Sequence, residues 1–336
     1  MTGTIRCAAA LVFSAALGAA GLEPIGRPVR VLSLSFRDEP LEAIRALIDR
    51  EAASGVDLVV LPETWRGQKD DTMETLEGPT IRAMSALARK HHAYIVSPID
   101  RLDGGRRVNS AVLLDREGKV AFVYDKVFPY WSEFDHKKKV QPGDVAPVYQ
   151  ADFGRVGFVI CFDVNFPEVW KGLADQGAEL VVWPSAYSAG TSLQAHALNH
   201  HYYIVTSTLT RDCIVYDITG EQMLYQKSKD VNVARVTLDL DRGIYHTNFN
   251  IDKRDRLLRE RGEEVTLELF LDREAWFVLR AKRPGVSARS LARKYGMEEL
   301  RDYVDRSRRE IDRMRGGAFG ERTVPASSGN SSGRPE

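Results

Sequence analysis

The chain has 336 residues, of which 43% are hydrophobic and 28% are charged, so it has enough apolar material for a packed core and is neither fibrous nor wholly disordered. Its 47 Lys and Arg residues balance its 47 Asp and Glu residues, which leaves no net charge to favour nucleic acid or an acidic membrane as a partner. Three cysteines are too few for a disulfide scaffold.

The first 20 residues are typical of a signal peptide. Arg6 is followed by an uncharged stretch to residue 22, and small residues stand at the end, up to Ala20. We therefore expect residues 1–20 to be removed during export to the periplasm or the medium; if they are retained, the protein stays in the cytoplasm. The stretch is too short and too rich in Ala and Gly for a membrane helix, so no stable membrane span is expected after processing.

Strand and helix patterns alternate through the middle of the chain. Predicted strands cover 29–36, 57–61, 94–96, 109–115, 120–124, 156–160, 180–183 and 203–207, and predicted helices cover 40–55, 81–88, 166–176 and 193–201. Continuous apolar strands indicate sheets covered on both faces, and Glu117-Gly118 predicts a hairpin. Hairpins mixed with helical crossovers predict one layered α/β domain with mixed sheets, from about residue 27 to about 250.

Cys161 is the first candidate for chemistry. It follows the apolar run 157–160 and precedes Phe162 and Asp163. A residue that leaves a buried strand and enters a helix is expected on a sharp, exposed corner, where the following backbone N–H groups can face developing negative charge. The alternative is a buried small hydrophobic residue, the commonest fate of a free cysteine, and position alone does not decide between the two.

Glu63 and Lys126 are the other two candidates, because each follows an apolar strand. Each has an ordinary interpretation as a surface residue at a strand end. The carboxyl ends of strands in an α/β sheet line the crevice where ligands bind, so three such ends carrying Glu, Lys and Cys favour a shared site. The histidines offer neither a clear base for the thiol nor metal-ligand spacing, and no metal or cofactor is predicted.

The sequence around these residues resembles the three signature blocks of the nitrilase superfamily of carbon–nitrogen hydrolases. The blocks are 61–63 (LPE), 124–127 (YDKV) and 154–163 (GRVGFVICFD) with 166–168 (FPE). The stretches 109–112 and 193–203 also look like family stretches, and the resemblance runs from about residue 29 to 241. Each block alone is a weak signal, whereas the ordered set is much more specific.

The resemblance implies a four-layer αββα sandwich that assembles into homo-oligomers. It also implies a catalytic triad of Glu63, Lys126 and Cys161, with Glu133 as a second glutamate in a loop of variable spacing. Glu63 is expected to take the thiol proton of Cys161 and later to activate water. Cys161 attacks a carbonyl or nitrile carbon to form a thioester, Lys126 and the backbone N–H of Phe162 stabilise the oxyanion, and Glu133 orients Lys126 or the substrate amide.

Aromatic residues that follow the catalytic blocks are candidates to line the substrate pocket: Trp65, Tyr130, Trp131 and Tyr187. For each of them, an aromatic core residue is an equally good interpretation. Asn165 stands where an arginine is common in the family, and Asn199 stands where a glutamate is common. These two departures concern local salt bridges and substrate preference rather than the triad.

Residues 251–315 form a densely charged extension, with predicted strands at 266–271 and 276–279 and an amphipathic helix between Met297 and Met314. The segment from 287 onward faintly resembles a helix-turn-helix, but its positive excess is small and export separates it from DNA, so no nucleic acid is predicted. We expect a cap on the core or on a neighbouring subunit. Residues 316–336 are rich in Gly, Ser and Pro and are predicted to be a disordered tail.

Three functions stay open at this point. The first is an amidase that acts on a small linear amide, and the second is nitrile hydrolysis by the same thiol. The third is a catalytically silent binding or assembly module on the same fold. The expected partners are a small amide or nitrile and further copies of the chain.

Overall fold

The computed structural model describes residues 23–135 and 138–319. The predicted signal peptide, residues 1–20, lies outside this part of the chain. So does most of the predicted disordered tail, since residues 320–336 are not described.

The described residues form a mixed α/β structure. The strands in chain order are β1 (Pro28–Ser35), β2 (Leu58–Val60), β3 (Tyr94–Asp103), β4 (Arg106–Leu114), β5 (Val120–Asp125), β6 (Tyr149–Gln150), β7 (Arg155–Phe158), β8 (Leu180–Ser185), β9 (Tyr203–Thr208), β10 (Asp212–Tyr216), β11 (Gln222–Lys227), β12 (Asn232–Asp239), β13 (Gly243–His246), β14 (Val265–Leu271) and β15 (Trp276–Ala281). The helices are α1 (Leu41–Ala52), α2 (Pro79–His91), α3 (Trp131–Phe134), α4 (Pro167–Asp175), α5 (Gly190–His200), α6 (Ile251–Arg261), α7 (Ala288–Lys294) and α8 (Leu300–Arg315), with a 3₁₀ turn at Cys161–Asn165.

Two six-stranded sheets form the centre of the molecule, in the orders β12-β1-β2-β3-β4-β5 and β11-β10-β9-β8-β7-β6. In each sheet three strands are parallel, β1–β2–β3 and β7–β8–β9, and antiparallel strands extend them on both sides. The facing sides share one apolar core, to which the sheets contribute Val31, Val60, Val96, Phe158, Val182 and Val205. The catalytic-block strands β2 and β7 therefore belong to opposite sheets, β2 in the interior of one and β7 beside the short edge strand β6 of the other.

Helices cover the outer face of each sheet. Ile44 and Met84, on α1 and α2, are buried in one outer core with Val59 of the first sheet. Trp170 and Leu193, on α4 and α5, are buried in a second outer core on the other side. This arrangement confirms the predicted αββα sandwich, and the continuous apolar strands follow from it, because each sheet is covered on both faces.

The antiparallel pairing of β1 with β12 was not predicted. Its register joins Pro28 to Asp239 and Ser35 to Asn232, so that a strand late in the domain lies beside the first one. The predicted hairpin of β4 and β5 is present.

The C-terminal segment forms a third sheet of order β13-β15-β14, with α6, α7 and α8 around it. Strand β13 precedes residue 250, where the hydrolase domain was expected to end, and it pairs with β15 of the extension. Arg289 connects the two parts, because its guanidinium donates to Glu179 at 2.8 Å and to both carboxylate oxygens of Glu299 at 2.8 Å.

The residues described contain no helix that is both long and apolar enough to span a bilayer. Within the same ranges, no group of three or more His, Cys, Asp or Glu side chains is placed to hold a metal ion.

Candidate active site

Glu63 lies just beyond the carboxyl end of β2 and is buried. Its Oε1 accepts hydrogen bonds from Lys126 Nζ and from Asn109 Nδ2, both at 2.8 Å. Its Oε2 accepts the backbone N–H of Ala186 at 2.8 Å. Three donors therefore fix the carboxylate in one orientation, with a lone pair of Oε2 still available.

Lys126 follows β5 and is almost fully buried, at 1% exposure. Its ammonium donates to Glu63 Oε1 and, at 2.6 Å, to Glu133 Oε2. Burial by itself lowers the pKa of Lys126, but the negative charges of Glu63, Cys161 and Glu133 outweigh burial and raise it. The side chain is therefore a permanent cation at neutral pH, because two carboxylates compensate its charge.

Glu133 lies on the single-turn helix α3 and points into the same cluster. Its Oε1 accepts from Asn109 Nδ2 at 2.8 Å and from Gln68 Nε2 at 2.9 Å, and its Oε2 also accepts the backbone N–H of Tyr130 at 2.7 Å. Burial raises the pKa of Glu133, whereas Lys126 and these amide donors lower it, with a net lowering. Glu133 is thus held as a carboxylate.

Cys161 occupies the corner between β7 and α4, with a left-handed backbone at φ +46°. Its side chain is only 7% exposed, so the corner is more enclosed than the sequence pattern predicts. Burial raises the pKa of the Cys161 thiol, the nearby Glu63 charge raises it further, and Lys126 opposes them only in part. The resting thiol is therefore neutral and needs a base before it can attack.

Asp163 stabilises this corner by accepting hydrogen bonds. Its Oδ2 accepts the backbone N–H of Ile160 at 2.9 Å and the hydroxyl of Tyr124 at 2.7 Å, and its Oδ1 accepts the N–H of Phe128 at 2.9 Å. Burial raises its pKa to about 6, against the lowering effect of these hydrogen bonds. Because Tyr124 and Phe128 flank Lys126, Asp163 ties the cysteine block to the lysine block.

One cavity of about 500 Å³ is lined by the predicted catalytic set, Glu63, Lys126, Glu133 and Cys161. The predicted site residues Phe162, Tyr130 and Tyr187 line it as well. The described residues that line it are Glu63, Thr64, Gln68, Lys126, Tyr130, Ser132, Glu133, Lys138, Cys161, Phe162, Asn165, Ala186 and Tyr187.

Two of the predicted pocket residues lie elsewhere, and those predictions were wrong. Trp65 is 3% exposed and packs edge-on against Phe36, with 5.5 Å between ring centroids, in the outer core beneath α1 and α2. Trp131 is 62% exposed on the outer side of α3 and does not line the cavity. In both cases the side chain next to a site residue points away from the site.

Several residues that hold the site together carry no catalytic motif of their own. Asn109 belongs to a stretch that resembles the family, but its pattern does not reveal that one amide nitrogen serves two glutamates. Gln68 and Lys138 reach the cavity from loops, and Ala186 contributes a backbone N–H, which no sequence pattern identifies.

Comparison with known proteins agrees with this architecture. Residues 34–243, more than half of the chain, match the family described as carbon-nitrogen hydrolase. The chain belongs to the carbon-nitrogen hydrolase family. The predicted resemblance to the nitrilase superfamily is thereby confirmed.

Curated members of this family are similar to the chain at modest identity. A hydrolase of Schizosaccharomyces pombe is 24% identical over 205 residues, which cover 55% of this chain and 64% of that protein. The omega-amidase NIT2 of Xenopus tropicalis is 25% identical over 203 residues, which cover 55% of this chain and 74% of the relative. A deaminated glutathione amidase of Synechocystis is 30% identical over 198 residues, which cover 51% and 72%.

Solved structures of this carbon-nitrogen hydrolase fold are also similar. Nit3 of Saccharomyces cerevisiae, a member of the nitrilase superfamily, has a TM-score of 0.56 at 20% identity, covering 64% of this chain and 91% of that one. An amidase from Nesterenkonia has a TM-score of 0.57 at 21% identity, covering 72% and 99%. At these identities the likeness establishes the fold.

Proposed function

We propose that this carbon-nitrogen hydrolase is a thiol-dependent amidase that acts on a small linear amide through a Cys161 thioester. The observation that carries the proposal is the buried cluster of Glu63, Lys126 and Glu133 beside the neutral thiol of Cys161, inside one cavity. The amidase names of several relatives support it.

In the first step, Cys161 Sγ attacks the carbonyl carbon of the amide while Glu63 takes the thiol proton. The elevated pKa of the thiol makes this base necessary, and burial keeps both groups out of competing contact with water. The product is a tetrahedral adduct whose carbonyl oxygen carries the negative charge.

Lys126 and the backbone N–H of Phe162 then stabilise this oxyanion. Two of the three Lys126 donors bind Glu63 and Glu133, which leaves the third for the substrate oxygen. Phe162 is the second residue of a short 3₁₀ turn, in which the first N–H groups have no partner within the turn. Each such donor contributes about 3 kcal/mol to the transition state in comparable sites.

Collapse of the adduct breaks the C–N bond. The nitrogen leaves as ammonia or an amine after it takes the proton from Glu63, and the acyl group stays on sulfur as a thioester. Glu63, again a carboxylate, removes a proton from water as the water attacks the thioester. The carboxylic acid departs and the proton returns to Cys161, which restores the resting state. Throughout, Glu133 holds Lys126 in place.

The deciding experiment pairs turnover with covalent labelling. Wild-type protein is expected to release ammonia from linear amides, and Cys161→Ala is expected to lose this activity by several orders of magnitude. Fluoroacetamide is expected to add one acetamide group at Cys161, seen by intact mass and peptide mapping. The buried Cys213 supplies the matched control, since Cys213→Ala is expected to keep both turnover and label.

Nitrile hydrolysis and a silent module remain as the alternatives. Attack of the same thiol on a nitrile gives a thioimidate that water converts to the thioester with loss of ammonia, so matched amide and nitrile pairs separate the two activities. Full amidase activity in Cys161→Ala contradicts the proposal. Absence of both turnover and label in the wild type favours the silent module.

We further propose export of the protein and assembly into homo-oligomers. The signal-like pattern of residues 1–20 supports export, and the family resemblance supports assembly. N-terminal sequencing of protein recovered from cell fractions tests the first, and light scattering of the purified protein tests the second.

A further inference from the structure

Four donors from the described residues surround the Glu133 carboxylate. Its Oε1 accepts from Asn109 Nδ2 at 2.8 Å and from Gln68 Nε2 at 2.9 Å. Its Oε2 accepts from Lys126 Nζ at 2.6 Å and from the backbone N–H of Tyr130 at 2.7 Å. A carboxylate offers about four lone-pair sites, so these donors fill them. Glu133 therefore has no site left for a substrate amide, and it acts on the reaction through Lys126.

Gln68 connects Glu133 to a second charge. Its Nε2 donates to Glu133, whereas its Oε1 accepts from Lys138 Nζ at 2.9 Å. The reverse orientation would place its N–H groups against an ammonium and its oxygen against a carboxylate, so the two charges fix one orientation of the amide. The ammonium also polarises the amide and strengthens the N–H donor on its far side. One hydrogen-bonded chain therefore runs from the cavity wall to the proposed base, through Lys138, Gln68, Glu133, Lys126 and Glu63.

The other charged groups near Gln68 are engaged elsewhere. Asp135 accepts the backbone N–H of Lys138 at 3.4 Å, within the turn that carries Lys138. Asp100 feels the charge of Lys138, but it is buried and accepts three hydrogen bonds of 2.6–3.0 Å from Arg107. The Gln68 amide is thus the group that stands between the Lys138 ammonium and the catalytic cluster.

We propose that Gln68 is a positioning residue for amide hydrolysis, and that it holds the Glu133 carboxylate in the orientation that directs Lys126 at the substrate oxygen. This inference rests on the proposed amidase function and adds a residue to it. Lys138 acts in turn through Gln68, because it fixes the amide. Lys126 stabilises charge that develops only in the transition state, so loss of this support is expected to lower kcat and to leave KM nearly unchanged.

The isosteric variant Gln68→Glu tests the role of the N–H donor. The introduced carboxyl group restores the donor when it is protonated, and it places a second negative charge against Glu133 when it is ionised. We therefore expect kcat within about threefold of wild type at pH 5 and at least about tenfold below wild type at pH 8, with KM little changed at both. The exposed Gln141 supplies the matched control, since Gln141→Glu is expected to follow the wild type at both pH values.

Removal of the amide tests the order of action. Gln68→Met keeps a side chain of similar length without an N–H donor, so kcat is expected to fall about tenfold at every pH. Lys138→Met is expected to lower kcat about two- to fivefold, because the amide loses only its polarising partner. The two substitutions together are expected to be no slower than Gln68→Met alone, since Lys138 acts through Gln68. Losses that multiply show that Lys138 acts independently and overturn this part of the inference.

The kinetics also keep the two proposals separate. An active wild type with the same relative kcat of Gln68→Glu at pH 5 and pH 8 overturns the positioning role and leaves the amidase proposal intact. A loss in Gln68→Met that falls mainly on KM does the same, because it makes Gln68 a substrate contact. A wild type that hydrolyses no amide refutes both proposals.

Urea unfolding supplies a readout that needs no turnover. It establishes that each variant is folded at both pH values. The difference in unfolding free energy between wild type and Gln68→Glu is expected to widen from pH 5 to pH 8, because the folded variant holds a proton between two adjacent carboxylates more tightly than the unfolded chain does. A difference that does not widen shows that Gln68 does not contact Glu133 and overturns the inference.

Discussion

Asn109 Nδ2 lies 2.8 Å from Oε1 of Glu63, and the same nitrogen lies 2.8 Å from Oε1 of Glu133. One amide group therefore bridges two carboxylates that also share the Lys126 ammonium. The backbone oxygen of Asn109 also accepts the N–H of Lys126 at 2.9 Å. Asn109 thus fixes three members of the site at once.

Asn109→Ala is expected to reduce kcat ten- to hundredfold and to lower the free energy of unfolding by about 1–3 kcal/mol, because two buried acceptors each lose a donor. Asn109→Asp is expected to be worse on both counts, since it places a third carboxylate in the cluster. Amide kinetics and urea unfolding measure the two effects. Unchanged kcat in Asn109→Ala at normal stability contradicts this role.

The raised pKa of Cys161 predicts an unusual alkylation profile. The thiolate is the reactive species, and burial and Glu63 favour the neutral thiol. Labelling of Cys161 by iodoacetamide is therefore expected to be slow at pH 7 and still rising above pH 9, as followed by peptide mapping in a Cys213→Ala background. A plateau below pH 8 indicates a preformed thiolate and argues against Glu63 as the base.

The raised pKa of Asp163 predicts a contribution to the free energy of unfolding that decreases as the pH rises. Its folded-state pKa of about 6 exceeds the ordinary value of 3.8, so the folded state holds the proton more tightly. This contribution is complete below pH 3.8 and disappears as the pH rises through 6, with an upper limit of about 3 kcal/mol.

The comparison that isolates this contribution is wild type against Asp163→Asn. The advantage of the wild type in unfolding free energy is expected to be larger at pH 4 than at pH 7, because the other carboxylates titrate in both proteins and cancel. Urea titrations between these values measure it. A difference that grows toward pH 7 shows that the carboxylate form is the stabilising one.

Alanine substitutions of Trp65 and Tyr187 are expected to affect different properties, stability in the first case and KM in the second. Trp65→Ala empties part of the outer core and is expected to cost about 3–5 kcal/mol of unfolding free energy, with kcat/KM per folded molecule little changed. Tyr187→Ala removes part of the cavity wall and is expected to raise KM severalfold at nearly normal stability. Thermal unfolding and steady-state kinetics on both variants make the comparison. A large KM effect in Trp65→Ala places Trp65 in the site after all.

The residue pattern alone predicted a layered α/β domain with mixed sheets, and the family resemblance supplied the αββα architecture. The pattern also favoured a shared site for Glu63, Lys126 and Cys161, because each follows an apolar strand. The pattern did not establish whether Trp65 faces the core or the cavity. Sequence spacing does not determine the direction in which a side chain beside a site residue points. Helix α6 was missed because Ile251–Arg261 is almost entirely charged, and only Leu257 is buried.

The sequence also gave no indication of contacts between segments that lie far apart along the chain. The pairing of β1 with β12 joins segments that are about 200 residues apart, and no local pattern indicates it. The positions of Gln68 and Lys138 depend in the same way on how two loops meet over the cavity.

A side chain on a left-handed backbone stores conformational strain on the order of 1–3 kcal/mol, and Cys161 stands at φ +46°. Glycine adopts that geometry without strain, whereas alanine does not. In a descendant of this protein that is no longer selected for turnover, we therefore expect glycine to replace Cys161. Such a protein gains conformational stability and loses catalytic activity. Stability therefore favours glycine at position 161, whereas catalysis requires the strained cysteine.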